Sequence, residues 1–218
     1  QKLLFLAEKG IPALYIPVVI GGLTAPMSEP AGMAVVNAGV LAGLVLSQLK
    51  REGAPFIVPG WGGAGLDMRT TVNPYCWPES RGMAHALAQY YNIPMFGIGG
   101  CSESKDVDSQ AAAEAALTMM AETLGGAQLI HDLGYLESGL TTSLAQLVIC
   151  YEIAGWIAKF LSPTPINDET LALDLIDQVG PDGQFLDTPH TLQHFRDFWY
   201  PEAFERMDYF GWQQAGGK

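Results

Sequence analysis

The sequence has little positive charge. Of its 218 residues, 11 are Lys or Arg and 23 are Asp or Glu, which gives a formal net charge of -12. No basic run occurs anywhere along the chain, so the protein's own electrostatic field would oppose binding to a phosphate backbone. We therefore exclude nucleic acid as a partner.

Cysteines and long apolar runs are also scarce. The three cysteines, Cys76, Cys101 and Cys150, form no CxxC motif, which is typical of a reducing compartment. The longest apolar run, 31–46, contains Asn37 and several glycines and is shorter than the roughly 20 residues of a membrane-spanning helix. We predict a cytoplasmic protein with no membrane segment. The first ten residues, QKLLFLAEKG, resemble the middle of an amphipathic helix without an initiator Met, so we expect a fragment.

What the sequence does contain is a repeated unit of strand, loop and helix. With 49% hydrophobic residues the chain can bury a core. Four apolar runs predict strands, and each is followed by a glycine-containing loop and a helical stretch. The predicted strands are 12–20, 55–59, 93–98 and 127–131, and the predicted helices are 30–50, 79–91, 109–124 and 138–160. Short connections before the next strand are typical of a parallel sheet.

The distribution of polar residues favours a TIM barrel over an open sheet. Functional side chains follow all four strands, whereas a doubly wound sheet concentrates them at one switch point. Four units are half of a (β/α)8 barrel. From residue 163 the pattern changes to helices near 168–179 and 188–209 with no further strand. We predict two domains: a half-barrel at 1–162 and a C-terminal helical extension at 163–218.

The loop after the third predicted strand is rich in small and polar residues. Its glycines allow close approach of the backbone to a ligand. The substrate-binding candidates here are Gly99, Gly100, Cys101, Ser102, Lys105 and Asp108. Two alternatives stay open: Ser102, Ser104 or Asp108 could cap the following helix, and Lys105 could form a Schiff base.

The loop after the fourth strand carries the catalytic candidates. It places an imidazole, two carboxylates and a phenol within seven residues, which helix capping alone does not explain. These residues are His131, Asp132, Tyr135 and Glu137. The long loop after the second strand adds a predicted substrate wall with Trp61, Arg69, Tyr75 and Trp77.

Two histidines and a group of aromatic residues mark the C-terminal extension. His190 and His194 have the i, i+4 spacing that can present two imidazoles to a metal, but no HExxH glutamate lies between them. We favour a structural role for this pair and predict no metal site. The aromatic residues indicate a docking surface; they are Phe195, Phe198, Trp199, Tyr200, Phe204, Tyr209, Phe210 and Trp212.

Four blocks resemble the trimethylamine methyltransferase family in family order: GGLTAPMSEPAG, GGCSESKDVDSQAAAEAAL, HDLGYLESGLTTSLAQLV and HTLQHFRDFW. The resemblance implies a TIM barrel and transfer of a methyl group from a methylated amine to the Co(I) form of a corrinoid. The corrinoid belongs to a separate partner protein, so no tightly bound cofactor is expected here. Family chains are about twice as long, which makes this chain the second half of the barrel, with strands five to eight.

The resemblance also narrows the substrate. Family members that use trimethylamine carry pyrrolysine, whereas every residue here is an ordinary amino acid, which favours quaternary amines such as betaines. Aromatic faces hold such cations, and the candidates are Trp61, Tyr75, Trp77 and Tyr135. Arg69 or Lys105 would bind a substrate carboxylate. We also expect a homo-oligomer.

Two other functions remain open from the sequence. One is a barrel lyase or aldolase that uses Lys105 as its Schiff-base nucleophile. The other is a half-barrel without catalytic activity that only binds or assembles with other chains.

Overall fold

A computed structural model describes residues 1–60, 65–77 and 79–217 of the chain. The chain divides into two compact units, Gln1–Tyr151 and Glu152–Lys218. We describe each unit by itself.

The first unit is built on a four-stranded parallel sheet. Its strands are β1 (Ala13–Leu14), β2 (Phe56–Pro59), β3 (Met95–Ile98) and β4 (Leu129–His131), in the spatial order β1-β2-β3-β4. Helices α1 (Lys2–Lys9), α2 (Glu29–Lys50), α3 (Glu79–Tyr91) and α4 (Ser109–Leu124) alternate with the strands. Because neighbours in the sheet are also neighbours in the chain, the winding is that of part of a barrel rather than of a sheet that reverses at a switch point.

Helices cover one face of this sheet. Side chains that point toward α2 and α3 are buried, and with Val36 and Val40 of α2 they form the core. The buried strand residues are Ala13, Phe56, Val58, Pro59, Met95 and Gly97. On the opposite face Leu14, Ile57, Phe96 and Ile98 are only half-buried. This second apolar face is what the inner wall of a barrel would present.

Two predicted elements before residue 163 differ clearly from the structure. The first strand is much shorter than 12–20, and Pro17, which has no N–H to donate to a ladder, lies just beyond it. Helix α5 (Leu144–Leu161) begins six residues later than predicted. The intervening residues form an antiparallel hairpin, β5 (Tyr135–Leu136) and β6 (Thr141–Thr142), around a short 3-10 turn, Glu137–Gly139.

A buried ion pair joins α3, α4 and β3. The side chain of Glu122 is fully buried and accepts hydrogen bonds from Arg81 and from His85 Nε2, the latter at 2.9 Å. Arg81 also donates to the backbone carbonyl of Ile98 at the end of β3. The carboxylate lies against Gly97, where an added Cβ would come within 2.1 Å of Glu122 Oε2. A side chain at position 97 would therefore have to displace this carboxylate from its ion pair.

The second unit is helical. It contains the end of α5 and the helices α6 (Asp168–Leu171), α7 (Leu173–Val179), α8 (Pro189–His194) and α9 (Tyr209–Gln214), and none of residues 163–217 forms a strand. The predicted helix at 188–209 is wrong beyond His194. Pro201 lacks an N–H, and the carboxylate of Glu152 accepts hydrogen bonds from the amides of residues 202–204, which a continuous helix would use internally.

Within the described ranges, α2 and α5 are long and apolar enough to cross a membrane by length and composition. The core helix of a soluble protein has the same length and composition. Helix α2 places Val36 and Val40 against the strands of the sheet. That arrangement is typical of a core helix.

The buried ion pair should contribute strongly to the stability of the first unit. In Glu122→Gln, which preserves the shape of the side chain, we expect unfolding free energy to fall by about 3–5 kcal/mol, because Arg81 would stay buried without its counter-charge. Urea unfolding measures the change, with Glu52→Gln, an exposed glutamate of the same unit, as the matched control. A loss of less than about 1 kcal/mol, the range of surface pairs, would contradict this role.

Candidate active site

The loops after β3 and β4 meet at the carboxyl end of the sheet. The amide of Gly99 donates to the carbonyl of His131 at 3.0 Å, and the amide of Ser102 donates to the carbonyl of Tyr135 at 2.9 Å. The amide of Glu137 donates to Ser104 O, also at 2.9 Å. These hydrogen bonds hold the two loops side by side. Parallel strands impose this arrangement because all their carboxyl ends point the same way.

Glu103 ties a third loop to this pair. Its Oε1 accepts hydrogen bonds from the amides of Tyr75 at 2.5 Å and Cys76 at 3.1 Å, while Oε2 accepts one from Ser138. Glu114 of α4 in turn accepts from the Glu103 amide at 2.8 Å. Glu103 is not among the site residues predicted from the sequence, because nothing local to it indicates partners 28 and 35 residues away.

His131 and Asp132 form a pair of fixed orientation. His131 Nδ1 lies 2.6 Å from Asp132 Oδ1, and the imidazole stacks on Phe96 with ring centroids 3.8 Å apart. Asp132 adopts a left-handed backbone with φ of 72°, which turns its side chain back toward the ring. Because Nδ1 is hydrogen-bonded to the Asp132 carboxylate, Nε2 is the ring nitrogen that a ligand could contact.

Tyr75 and Tyr135 supply aromatic surface beside this pair. The Tyr75 ring packs against Gly139, where an added Cβ would lie 2.6 Å from Tyr75 Cε2. Burial and the nearby charge of Asp132 raise the pKa of Tyr75, and Tyr135 contributes to the same shift. Tyr135 itself is 38% exposed. The Tyr75 ring therefore lies against the hairpin that carries Tyr135.

Glu137 lies on a strained turn in the hairpin. Residues 137–139 all have positive φ, and two of them, Glu137 and Ser138, are not glycine. A left-handed conformation costs energy for such residues and is often found at functional sites. The Glu137 carboxylate accepts a hydrogen bond from Thr141 Oγ1 at 2.8 Å.

The other candidates of the third loop occupy different environments. Gly99, Gly100, Cys101 and Ser102 are buried beneath the surface of the loop. Asp108 accepts a hydrogen bond from the Ala111 amide at 2.8 Å, so it caps α4 as the capping alternative predicted.

That hydrogen bond also holds the pKa of Asp108 below its usual value. Lys105 is exposed, and its Nζ donates to the carbonyl of Glu103 at 2.8 Å.

Two other candidates of the second loop, Arg69 and Trp77, contact residues close to them in the chain. The Arg69 side chain is 93% exposed and lies 3.6 Å from the carboxylate of Asp67 in its own loop. Trp77 is half-buried, and its carbonyl accepts a hydrogen bond from Arg81 Nε at 3.2 Å. Trp61 lies outside the described residues.

The thiols near the site are held in their protonated form. Cys76 Sγ donates to the carbonyl of Cys101 and Cys150 Sγ donates to the carbonyl of Gly100, both at 3.2 Å. The hydrogen bond with Cys101, together with burial, raises the pKa of Cys76, and burial raises the pKa of Cys150. Neither thiol has the lowered pKa of a nucleophile.

Comparison with known proteins identifies the family. The family model described as trimethylamine methyltransferase (MTTB) matches residues 1–218. The chain belongs to the trimethylamine methyltransferase family.

Individual relatives of the family differ in their named substrates. Trimethylamine methyltransferase MttB of Desulfitobacterium hafniense (strain DSM 10664 / DCB-2) is 37% identical over 216 residues, which is 97% of this chain and 43% of that protein. Glycine betaine methyltransferase of Desulfitobacterium hafniense (strain Y51) is 33% identical over 94% of this chain and 44% of its own length. Trimethylamine methyltransferase MttB of Methanosarcina thermophila is 33% identical over 97% of this chain. The chain spans less than half the length of these relatives.

The raised pKa values of Cys76 and Cys150 give this family member a measurable pH dependence. At pH 8 we expect iodoacetamide to modify Cys76 about tenfold or more slowly in the native chain than in urea, since the thiolate is the reactive form. Mass spectrometry of the modified peptides measures both rates. As the pH rises past about 8.5, the unfolded chain loses thiol protons that the native chain retains, so stability should fall. Equal rates in the two states would show that the thiol is not protected.

Proposed function

We propose that the protein to which this chain belongs transfers a methyl group from a quaternary methylammonium compound to a corrinoid carried by a partner protein. The observation that carries this proposal is the packing of the Tyr75 ring against Gly139, in the hairpin that also carries Tyr135 and follows Asp132 at the carboxyl end of the sheet. Membership of the family supports the reaction class. We extend the proposal to a complete (β/α)8 barrel, in which the half-buried sheet face of this chain forms part of the inner wall.

The state of the carboxylates favours a quaternary over a protonated tertiary amine. Asp132 forms a hydrogen-bonded pair with His131, and Glu137 accepts a hydrogen bond from Thr141. Glu103 accepts hydrogen bonds from two backbone amides and from Ser138. A protonated amine would donate its N–H to a carboxylate oxygen, in competition with the hydrogen bonds that each of these carboxylates already accepts. A quaternary ammonium has no N–H, so it requires only the negative field that the carboxylates already provide.

Aromatic faces suit the change of charge during the reaction. When the bond from nitrogen to the transferred methyl breaks, the electron pair stays on nitrogen, the cation becomes a neutral tertiary amine, and no proton moves. A carboxylate in direct contact would therefore stabilise the substrate more than the transition state. Tyr75 and Tyr135 hold the cation with a smaller penalty, at about 0.5–2 kcal/mol for each face.

For the carboxylate end of a betaine we propose Lys105 rather than Arg69. Lys105 Nζ contacts the backbone of Glu103, whose side chain contacts the amide of Tyr75. Arg69 makes its described ion pair within its own loop. The exposure of Lys105 also disfavours the lyase alternative, because a Schiff-base lysine is usually activated in a desolvated pocket or beside another cation.

The exposure of the residues at the strand ends is compatible with a methyl acceptor that is carried by a second protein. The side chain of His131 is 28% exposed and Tyr135 is 38% exposed, so a group carried by a second protein can approach them. When bound, a corrinoid in the Co(I) state supplies the nucleophile. His131 and Asp132 would orient the amine and limit access of water. We further propose a cytoplasmic location and a homo-oligomer, in keeping with the sequence expectation.

The test uses the full-length protein with reduced cobalamin as acceptor and compares glycine betaine, carnitine and trimethylamine. We expect demethylation of a betaine, and Tyr135→Ala should raise its KM about 2- to 30-fold, the equivalent of one aromatic face. Tyr135→Phe should retain near-normal KM because it keeps the ring. Tyr90→Ala, at an exposed tyrosine of α3, is the matched control.

Lys105→Met separates the two ends of the substrate. It should raise the KM for a betaine and leave that for trimethylamine unchanged. Failure of the protein to demethylate any of the three compounds would refute the proposed reaction. Activity restricted to trimethylamine would refute the quaternary preference.

A further inference from the structure

Three potential metal ligands converge in the second unit. Glu169 comes from α6, while His190 and His194 are one helical turn apart on α8. One ligand atom from each of the three lies within 4.8 Å of the others. Two imidazoles and a carboxylate form a donor set that suits Zn²⁺ and related ions, whereas Mg²⁺ and Ca²⁺ prefer oxygen ligands throughout.

His194 already has the arrangement of a ligated histidine. Its Nδ1 lies 2.6 Å from Asp197 Oδ2, and its Nε2 lies 2.6 Å from Glu169 Oε1. A metal-bound histidine commonly directs its second ring nitrogen to a carboxylate, which fixes the tautomer and the ring orientation. Asp197 is placed to do this while Nε2 faces the proposed ion.

A buried ring nitrogen of His190 gives independent support for a bound ion. The Nε2 atom of His190 is buried and has no hydrogen-bond partner among the described residues. The ring lies beside that of His194, with centroids 4.4 Å apart. A buried nitrogen without a partner costs free energy, so its presence calls for an explanation. Coordination of a metal ion would satisfy it.

The second unit also has little else to hold its helices. None of residues 158–217 is buried, and the helices α6 to α9 contain no buried side chain. Small units without a sufficient core are often stabilised by a metal ion, whose binding energy then contributes to folding. An ion between α6 and α8 would supply such a link.

We propose that Glu169, His190 and His194 bind one structural divalent transition-metal ion of the Zn²⁺ class, with Asp197 positioning His194. Ligand atoms around tetrahedral Zn²⁺ are separated by about 3.4 Å, so the donors must shift by roughly 1 Å. The Glu169 side chain is 52% exposed and can make this shift. The fourth ligand is solvent from the adjoining open groove of about 710 Å³, which is also lined by His190, His194 and Asp197.

This proposal is independent of the proposed methyl transfer. Its residues lie within the second unit and include none of the candidates for amine binding. A metal site without methyltransferase activity, or activity without the metal site, would therefore separate the two proposals.

Metal binding tests the proposal directly. The purified protein, without a histidine tag, is stripped with a chelator, dialysed against Zn²⁺ and analysed for metal content; Co²⁺ replaces Zn²⁺ for visible spectroscopy. We expect one ion per chain and the absorption bands of tetrahedral Co²⁺. His190→Ala and Glu169→Gln should abolish both, and Asp197→Asn should weaken Zn²⁺ affinity about 10- to 100-fold. Asp182→Asn, an exposed carboxylate of the same unit, is the matched control.

A second readout covers the structural role. Zn²⁺ should slow amide hydrogen exchange in 168–194 of the unaltered protein and have no such effect in Glu169→Gln, whose exposed side chain poses little risk to folding. Circular dichroism checks that each variant is folded. Absence of stoichiometric Zn²⁺, or equal binding by the unaltered protein and both ligand variants, would overturn the proposal and leave an ordinary ion pair between His194 and Glu169.

Discussion

The buried carboxylate of Glu122 is the constraint on which the first unit depends. It neutralises Arg81 in a site where an unpaired charge would be very costly, and it occupies the space that a side chain at Gly97 would need. Arg81 then uses its other N–H groups on the carbonyls of Tyr75 at 2.6 Å and Trp77 at 3.2 Å. One ion pair thus fixes the helix-to-strand packing and the backbone of a loop that reaches the candidate site.

A second carboxylate continues this positioning at the end of the sheet. Glu103 binds the amides of Tyr75 and Cys76, so the backbone of the same loop is held by Arg81 through its carbonyls and by Glu103 through its amides. Ser138 attaches the hairpin to the same carboxylate. Much of the chain's acidity near the site is therefore used to bind backbone and hydroxyl groups. What remains for a cationic substrate is the aromatic surface and the negative field of carboxylates that already accept hydrogen bonds.

The sequence predicted the repeating fold well because the signals for it are local. Helices α3 and α4 have the predicted bounds, since apolar runs, turn residues and caps lie within the elements they define. The hairpin at 135–142 and the end of α8 were missed. Beyond α8, Glu152 accepts hydrogen bonds from amides about 50 residues away in the chain. The hairpin is hydrogen-bonded to Glu103 through Ser138. Both segments therefore depend on contacts that no local sequence pattern encodes.

The sequence predicted where the candidate site lies but not which side chains in it form hydrogen bonds with one another. Parallel winding required residues 99–108 and 131–137 to meet, yet residue type alone did not separate Asp108, which caps a helix, from Asp132, which binds His131. The same distinction applies to the histidines. His131 has both a ring partner and a carboxylate, whereas His190 has a buried nitrogen without a hydrogen-bond partner among the described residues. Whether a polar atom has a hydrogen-bond partner is a property of the folded chain. The buried Nε2 of His190, more than the spacing of His190 and His194, therefore indicates a bound ion.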